Sequence, residues 1–228
     1  MNPLAHDRMM LLGEICGLDS KTEILDLASG KGEMLSQFAR TFGVFGIGVD
    51  IFPPLLEEAT LRALELGVED RVRFEEGDAS KPLDLGRFGV VSCIGATWIG
   101  GNLAGTLEIM KRHLQPGGWI LVGEVYWARP PSAELAARYG QEFADLVGTL
   151  DIFEAAQIDL VEMVLTNEHD WDRYAASQWL NVSDWLIANP DHLDAPAVLA
   201  ERNESRRRYL SEGRRTLGWG VFVGRAPF

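Results

Sequence analysis

The feature that most constrains this chain is an alternation of short apolar runs with amphipathic stretches from residue 23 to about residue 125. The apolar runs Glu23–Leu27, Val44–Val49, Val72–Glu75, Val90–Ile94 and Trp119–Glu124 read as strands. Between them, Glu33–Phe42 places Leu35, Phe38, Ala39 and Phe42 on one helical face. Pro53–Leu66 opens on proline, which suits a first helical turn, and stops at Gly67. Asn102 is positioned to cap a helix running to about His113, and Gln115-Pro116-Gly117-Gly118 makes a turn into the next strand. Strands that alternate with helices in this way predict a parallel sheet covered on both faces.

On either side the rhythm changes. Ala5–Cys16 has room for one helix. After residue 125, Ser132–Tyr139 and Phe143–Ala156 read as helical and Ile158–Leu165 as a strand. Residues 166–218 are helical and rich in tryptophan and arginine, and Gly220–Arg225 is a last short strand. Two late strands separated by a helical segment resemble an interrupted hairpin, with the insertion lying over the sheet's edge or its ligand face. The expected organisation is one domain over residues 1–228: an N-terminal helix in 1–20, a ligand-binding core in 21–127, and an insertion in 166–218 that caps the substrate.

A chain of 228 residues buries roughly 70% or more of its extended surface, enough to need no disulfide or metal staple. Cys16 and Cys93 have no zinc-type spacing, and His6, His113 and His192 are scattered, so no metal site is expected. The cysteine usage, and an N-terminus without a basic segment leading into an apolar run, point to a cytoplasmic protein. No apolar stretch approaches membrane-spanning length. The net charge of −13 argues against nucleic acid as partner, because the phosphate backbone requires a positive surface.

The sharpest local signal is Asp26-Leu27-Ala28-Ser29-Gly30-Lys31-Gly32-Glu33, where a strand runs through small residues into a helix. Such a loop lets a ligand approach the backbone, beyond the carboxyl ends of the strands. The second strand ends in Asp50, 20 residues after Gly30, where a carboxylate can accept hydrogen bonds from both ribose hydroxyls. The third leads to Asp78. A glycine-rich turn alone, or one Asp after a strand, is as well explained by a helix cap. The conjunction points to a nucleoside. A dinucleotide loop would read G-x-G-x-x-G, whereas here acids stand at both ends of Ala28-x-Gly30-x-Gly32. They would repel a pyrophosphate and suit a cationic adenosine.

At these residues the sequence resembles the class I S-adenosylmethionine-dependent methyltransferases. Their first motif is matched by Asp26 to Gly32, with alanine at the first glycine position, and Leu114-Gln115-Pro116-Gly117-Gly118-Trp119 matches their approach to strand five. The match covers about residues 20–125. Gly95-Ala96-Thr97-Trp98-Ile99, Glu124-Val125-Tyr126-Trp127 and Gly218-Trp219-Gly220-Val221-Phe222 resemble small bacterial members. One departure is Gly89 after Phe88, where the family often has Asp. The resemblance implies a Rossmann-like α/β fold, with a seven-stranded, mostly parallel sheet, an antiparallel last strand, and the insertion between strands six and seven. It also implies S-adenosylmethionine as cofactor. Asp26, Ala28, Ser29, Gly30 and Gly32 would hold its methionine part, Asp50 the ribose, and Ile51, Asp78 and Ala79 the adenine. Cys93, Ile94 and Gly95 would lie near its sulfonium.

Methyl transfer from a sulfonium requires mainly alignment and exclusion of water, so no catalytic motif need stand out. The strand-four loop carries Thr97 and Trp98 and lacks an Asn-Pro-Pro-aromatic or Asp-Pro-Pro-aromatic signature. Trp98 either packs within its loop or stacks on a flat acceptor or the sulfonium. Glu124, followed by Tyr126 and Trp127, is the candidate general base or ammonium-binding carboxylate, with capping of its loop as the plainer role. Trp171, Tyr174, Ala175, Trp179 and Trp185 form a stripe at helical spacing. That pattern is usually core; the alternative is that Trp171 and Tyr174 reach the acceptor. Asp170 reads as an N-cap, and His169 is a second, weaker candidate for moving a proton. Arg202, Arg206, Arg207, Arg208, Arg214 and Arg215 read first as a solvated face. The alternatives are contact with an acidic sister subunit in a homodimer, or with an anionic substrate.

The expected function is methylation of a small-molecule acceptor. Its rivals are a nicotinamide-dependent oxidoreductase, a protein that binds S-adenosylmethionine without chemistry, and a nucleic-acid methyltransferase acting through the arginine cluster.

Overall fold

The computed structural model describes residues 2–139 and 143–227. After helix α1 (His6–Ile15), strands β1 (Glu23–Leu27), β2 (Phe45–Asp50) and β3 (Val72–Glu76) alternate with α2 (Glu33–Phe42) and α3 (Pro53–Leu66). Then come β4 (Phe88–Ile94), a 3-10 turn at Thr97–Gly100, α4 (Leu103–Arg112) and β5 (Leu114–Trp127). Helices α5 (Ala133–Tyr139) and α6 (Leu146–Ala155) lead to β6 (Asp159–Leu165). The insertion holds α7 (Glu168–Ala188), α8 (Ala195–Arg208), a π-helical turn at Tyr209–Gly213 and the short α9 (Arg214–Thr216), before β7 (Leu217–Arg225).

The seven strands form one sheet in the order β3-β2-β1-β4-β5-β7-β6. Pairing is parallel from β3 through to β5, and β7 runs antiparallel to both β5 and β6. Alternation along β1 sends Ile24 to the side packed by α1 and α2, with Leu12, Leu35 and Phe38. Leu25 and Leu27 go to the opposite side, with Leu107, Met110 and Phe153 of α4 and α6. The expected fold class is therefore observed. Because strand order reverses between β1 and β4, the loops after these two strands diverge, and the crevice between them is where open α/β sheets take ligands.

Several boundaries differ from the sequence expectations. Strand β5 begins at Leu114, not Trp119, since Leu114 pairs with Phe88 and Trp119–Trp127 pairs throughout with β7. Pairing also draws β7 back to Leu217. Helix α6 starts three residues later than Phe143, because the Asp145 carboxylate caps it through the Gly148 N–H. Asp170 is not the cap of α7: Asn167 accepts the Asp170 N–H, while the Asp170 carboxylate lies 3.2 Å from Arg8 of α1.

These last contacts matter for the site. Arg8 also donates to the Leu165 carbonyl at 2.7 Å, so α1, the end of β6 and the start of α7 are tied together. Ser132 before α5 donates twice to Glu212, and Arg138 of α5 pairs with Glu204 of α8. The insertion is thereby fixed beside β5. No helix of the described residues is long and apolar enough to cross a membrane.

Candidate active site

The loop between β1 and α2 is built on three left-handed residues: Ala28 (φ 55°), Gly30 (φ 55°) and Gly32 (φ 65°). Alanine at the first of these carries about 1–2 kcal/mol of strain that glycine would not. Gly32 is required sterically, because a Cβ there would lie 2.4 Å from the Phe74 ring. Two contacts hold the loop onto β2. The Ser29 N–H donates to the Val49 carbonyl at 3.0 Å. The Gly30 N–H donates to an Asp50 carboxylate oxygen at 2.8 Å, and the other oxygen of Asp50 accepts the Phe52 N–H at 3.0 Å.

Asp26 lies next to this loop, only 4% exposed, and accepts the Ser92 hydroxyl at 2.7 Å. Burial pushes its carboxyl up to about 7, with the Asp50 charge adding to the rise and the Ser92 hydrogen bond opposing it. A carboxyl poised in this way ionises readily when a cation arrives. Glu33, the acid at the other end of the loop, faces elsewhere: it pairs with Arg62 of α3, which holds its pKa down. Asp78 closes its own turn. It accepts the Ser80 hydroxyl and N–H and pairs with Lys81, contacts that lower its pKa to about 2.

Ile51 follows Asp50 and is 66% exposed, an apolar side chain left open beside the loop. Ala79 and Cys93, by contrast, are buried in the core, and burial drives the Cys93 thiol up. Their side chains are packed into the core, which leaves their backbone as the part that could border a ligand. Gly95 (φ 79°) turns the chain at the end of β4, and a Cβ there would point to within about 4 Å of Trp219 and Asn2. It is bare backbone at the wall of a cavity.

That cavity, about 320 Å³, is bordered by Gly95, Thr97 and Trp98 after β4, Glu124 and Val125 of β5, and Trp171 and Tyr174 of α7. Glu124 is 8% exposed. Its carboxylate accepts the Thr97 hydroxyl and the Val125 N–H. Thr97 is fixed in turn by the Thr106 hydroxyl, which donates to its carbonyl at 2.6 Å. Trp171 and Tyr174 stack in parallel, with centroids 5.6 Å apart. A second cavity of about 280 Å³ shares Val125, Phe143, Trp171 and Tyr174 with the first and extends between α5, α7 and α8.

The structure thus brings together Gly95, Thr97, Trp98, Glu124, Trp171 and Tyr174, and leaves other expected residues apart. Tyr126 is buried with its ring edge-on to Phe222, in the space opposite Gly218. Trp127 packs edge-on against Tyr139 and Phe143, behind the cavity wall. His169 is exposed on the first turn of α7 and does not border the cavity. Asn2, Pro3, Phe143 and Trp219 border it and were not singled out from the sequence. They come from distant segments, and only the Gly218-Trp219-Gly220 pattern gave a signal. Arg208 and Arg214 are engaged within the insertion, Arg208 with Glu201 and Glu204, and Arg214 with Asp172 and Glu168.

Sheet order, an antiparallel last strand and an acidic glycine loop facing a carboxylate at the end of β2 define the Rossmann-like architecture of class I methyltransferases. Residues 18–177 match the family model described as a methyltransferase domain, and the chain belongs to the class I S-adenosylmethionine-dependent methyltransferases. Escherichia coli YjhP is 41% identical over 227 residues, 97% of this chain and 92% of that protein. Its X-ray structure superposes with a TM-score of 0.93, covering 99% of this chain and 94% of that one. A methyltransferase from Geobacter sulfurreducens, solved with S-adenosylhomocysteine, is 45% identical with a TM-score of 0.92, covering 98% and 92% of the two chains. The ubiquinone/menaquinone biosynthesis C-methyltransferase UbiE of Azotobacter vinelandii is 31% identical over 199 residues, 86% of this chain and 71% of that protein. A nicotinamide-dependent oxidoreductase is not supported by any of these matches.

Proposed function

We propose that this chain transfers the methyl group of S-adenosylmethionine to a small-molecule acceptor held in the cavity between Gly95, Glu124 and α7. The residues present fit the cofactor. Asp50 is anchored through one lone pair on each oxygen, which leaves lone pairs for the ribose hydroxyls. Ile51 offers an exposed apolar face to the adenine. Asp26, Ala28 and Gly30 would receive the methionine part, the ionised Asp26 carboxylate favouring its positive charge. Bound there, S-adenosylmethionine supplies an activated methyl group.

The chain's own residues then align the acceptor and exclude water. Gly95 lets an acceptor approach the backbone, Thr97 orients the Glu124 carboxylate, and Trp98, Trp171 and Tyr174 would cover the bound molecule. Glu124 would take a proton from an acceptor that is protonated at rest. The insertion would act as the substrate cap.

The observation that carries this reading is the cavity of about 320 Å³ between the loop after β4, β5 and α7, which is of small-molecule size. Support also comes from UbiE, whose name places its methylation in quinone biosynthesis. Calorimetry with S-adenosylmethionine and S-adenosylhomocysteine is the direct test. Both should bind, and Asp50→Ala should weaken both; failure of the intact protein to bind either would overturn the proposal. Salt-sensitive binding of RNA or DNA through the arginine cluster would redirect it towards nucleic acid.

A further inference from the structure

We propose that the second cavity, between α5, α7 and α8, takes the far end of the methyl acceptor, and that this end is an uncharged aromatic ring; the proposal rests on the reading of the first cavity as the acceptor site. Six half-buried rings border the second cavity: Tyr139, Phe143, Trp171, Tyr174, Trp179 and Tyr209. Aromatic side chains are ordinarily well buried in a folded chain. Here they stand around about 280 Å³ of open space. That space adjoins the first cavity, because Val125, Phe143, Trp171 and Tyr174 border both. One molecule can place its reacting end beside Gly95 and its other end among the rings.

The lining favours a ring as occupant. Its aromatic side chains fall into two groups. In the first, Trp171 and Tyr174 of α7 stack with their planes 9° apart, and Tyr209, after α8, stands edge-on to Trp171 and to Trp179. In the second, Tyr139 of α5 and Phe143 after it lie with centroids 5.2 Å apart. A planar ring entering the cavity meets faces and edges from both groups, a gain that an alkyl group of the same area lacks. Nothing in the lining calls for a charge. Among the described residues Arg208 is its one charged side chain, and Arg208 pairs with Glu204 at 3.0 Å.

The walls are set before any ligand arrives. Arg138 of α5 pairs with Glu204 of α8 at 2.8 Å, and the Tyr209 hydroxyl donates to the Asp172 carboxylate of α7 at 2.9 Å. All three helices are thereby tied around the space, and little ordering is left to be done on binding.

The test varies the far end of a neutral probe at constant reacting end. The intact protein is saturated with S-adenosylhomocysteine and titrated calorimetrically with phenol, 4-phenylphenol and 4-cyclohexylphenol. One 4-phenylphenol should bind per chain, at least about tenfold more tightly than phenol and about threefold more tightly than 4-cyclohexylphenol. Excess phenol should displace it, since both use the first cavity. Ala175 of α7 and Ser205 of α8 border the second cavity and not the first, so leucine at either takes up its volume. Ala175→Leu and Ser205→Leu, checked for folding by circular dichroism, should each weaken 4-phenylphenol at least about tenfold and change phenol and S-adenosylhomocysteine by less than about threefold. Several results would overturn the proposal and leave the methyltransferase reading standing: 4-phenylphenol binding no more tightly than phenol or 4-cyclohexylphenol, both leucine variants leaving it unchanged, or phenol and 4-phenylphenol binding together. Failure to take up S-adenosylhomocysteine at all would instead overturn both.

Discussion

Replacing Asp26 by asparagine should make the ligand-free protein more stable and the site worse. The folded-state pKa of about 7 stands against an ordinary aspartate value of 3.8. At 1.36 kcal/mol per unit, that difference corresponds to about 4 kcal/mol for keeping the charge inside the folded, empty site. The sign follows from proton counting. Because the folded pKa is raised, the folded chain keeps a proton that the unfolded chain has released between these two values. Stability therefore falls as pH rises from about 4 to about 7, and the full penalty stands above that.

Asparagine is neutral and nearly the same shape, and its carbonyl can still accept the Ser92 hydroxyl. In thermal melts near pH 8, Asp26→Asn should gain up to about 4 kcal/mol, or about 8–16 °C for a chain of this size. The gain should shrink through the titration range and vanish near pH 4. The same variant should bind S-adenosylmethionine more weakly, having lost a partner for its positive charge. In the wild type, binding near pH 6 should release close to one proton, read from calorimetry in buffers of different ionisation enthalpy, and release should fade above pH 8. A variant that is less stable than wild type near pH 8, or a gain that does not depend on pH, would refute the reasoning.

Asp50→Asn presents one carbonyl to the Gly30 and Phe52 donors that two carboxylate oxygens now satisfy; it should cost about 1–3 kcal/mol in denaturant titration and at least about tenfold in S-adenosylhomocysteine affinity. Unchanged affinity by equilibrium dialysis would remove Asp50 from the ribose site. Gly32→Ala forces a Cβ against Phe74 and Ala59 at positive φ and should lose about 2 kcal/mol or more, measured in urea. Arg214→Ala breaks the 2.8 Å contact with Asp172 across the insertion; as the pair is exposed to solvent, global stability in urea should change little. Limited proteolysis should nonetheless cut faster within 166–218, and equal cutting rates would show that this pair does not hold the insertion in place.

The sheet was legible because its signals are local. Apolar runs of strand length, Gly67 after α3 and the acidic loop before α2 each act within a few residues. The acceptor side depends on register, which one sequence does not display. Glu124 and Tyr126 lie two apart on β5 and share a face, yet only Glu124 borders the cavity. Tyr126 pairs across the sheet with Gly218, where a Cβ would stand 2.3 Å from its ring, so the tyrosine sinks into space the glycine leaves. Caps show the same limit over a shorter range. Asn167 and Asp170 are both good capping residues, and the ion pair of Asp170 with Arg8, 162 positions away in sequence, decides between them. The stripe on α7 read first as core, but no residue of that helix is fully buried. Trp171 and Tyr174 face the cavity, while Trp179 rests on Tyr209 and Trp185 on His192.

Several departures from ordinary packing lie around the crevice between β1 and β4 and the cavity beside it, and others, such as the left-handed Gln157, lie elsewhere. Ala28 holds a left-handed backbone, Asp26 is a buried acid, the Ser29 hydroxyl is buried with no partner among the described residues, and the Trp171 indole N–H is the same. Each lowers the stability of the empty protein, and local rules are broken where a ligand is to be met. Occupancy offsets part of that loss: a ligand at a hundred times its Kd adds about 2.7 kcal/mol. The two effects are linked through one group. The carboxylate of Asp26 destabilises the folded chain because it is buried, close to the Asp50 charge and with no cation beside it among the described residues, and a cationic nucleoside gains by binding there for the same reason. A substitution that repairs the fold at this position must therefore weaken the site.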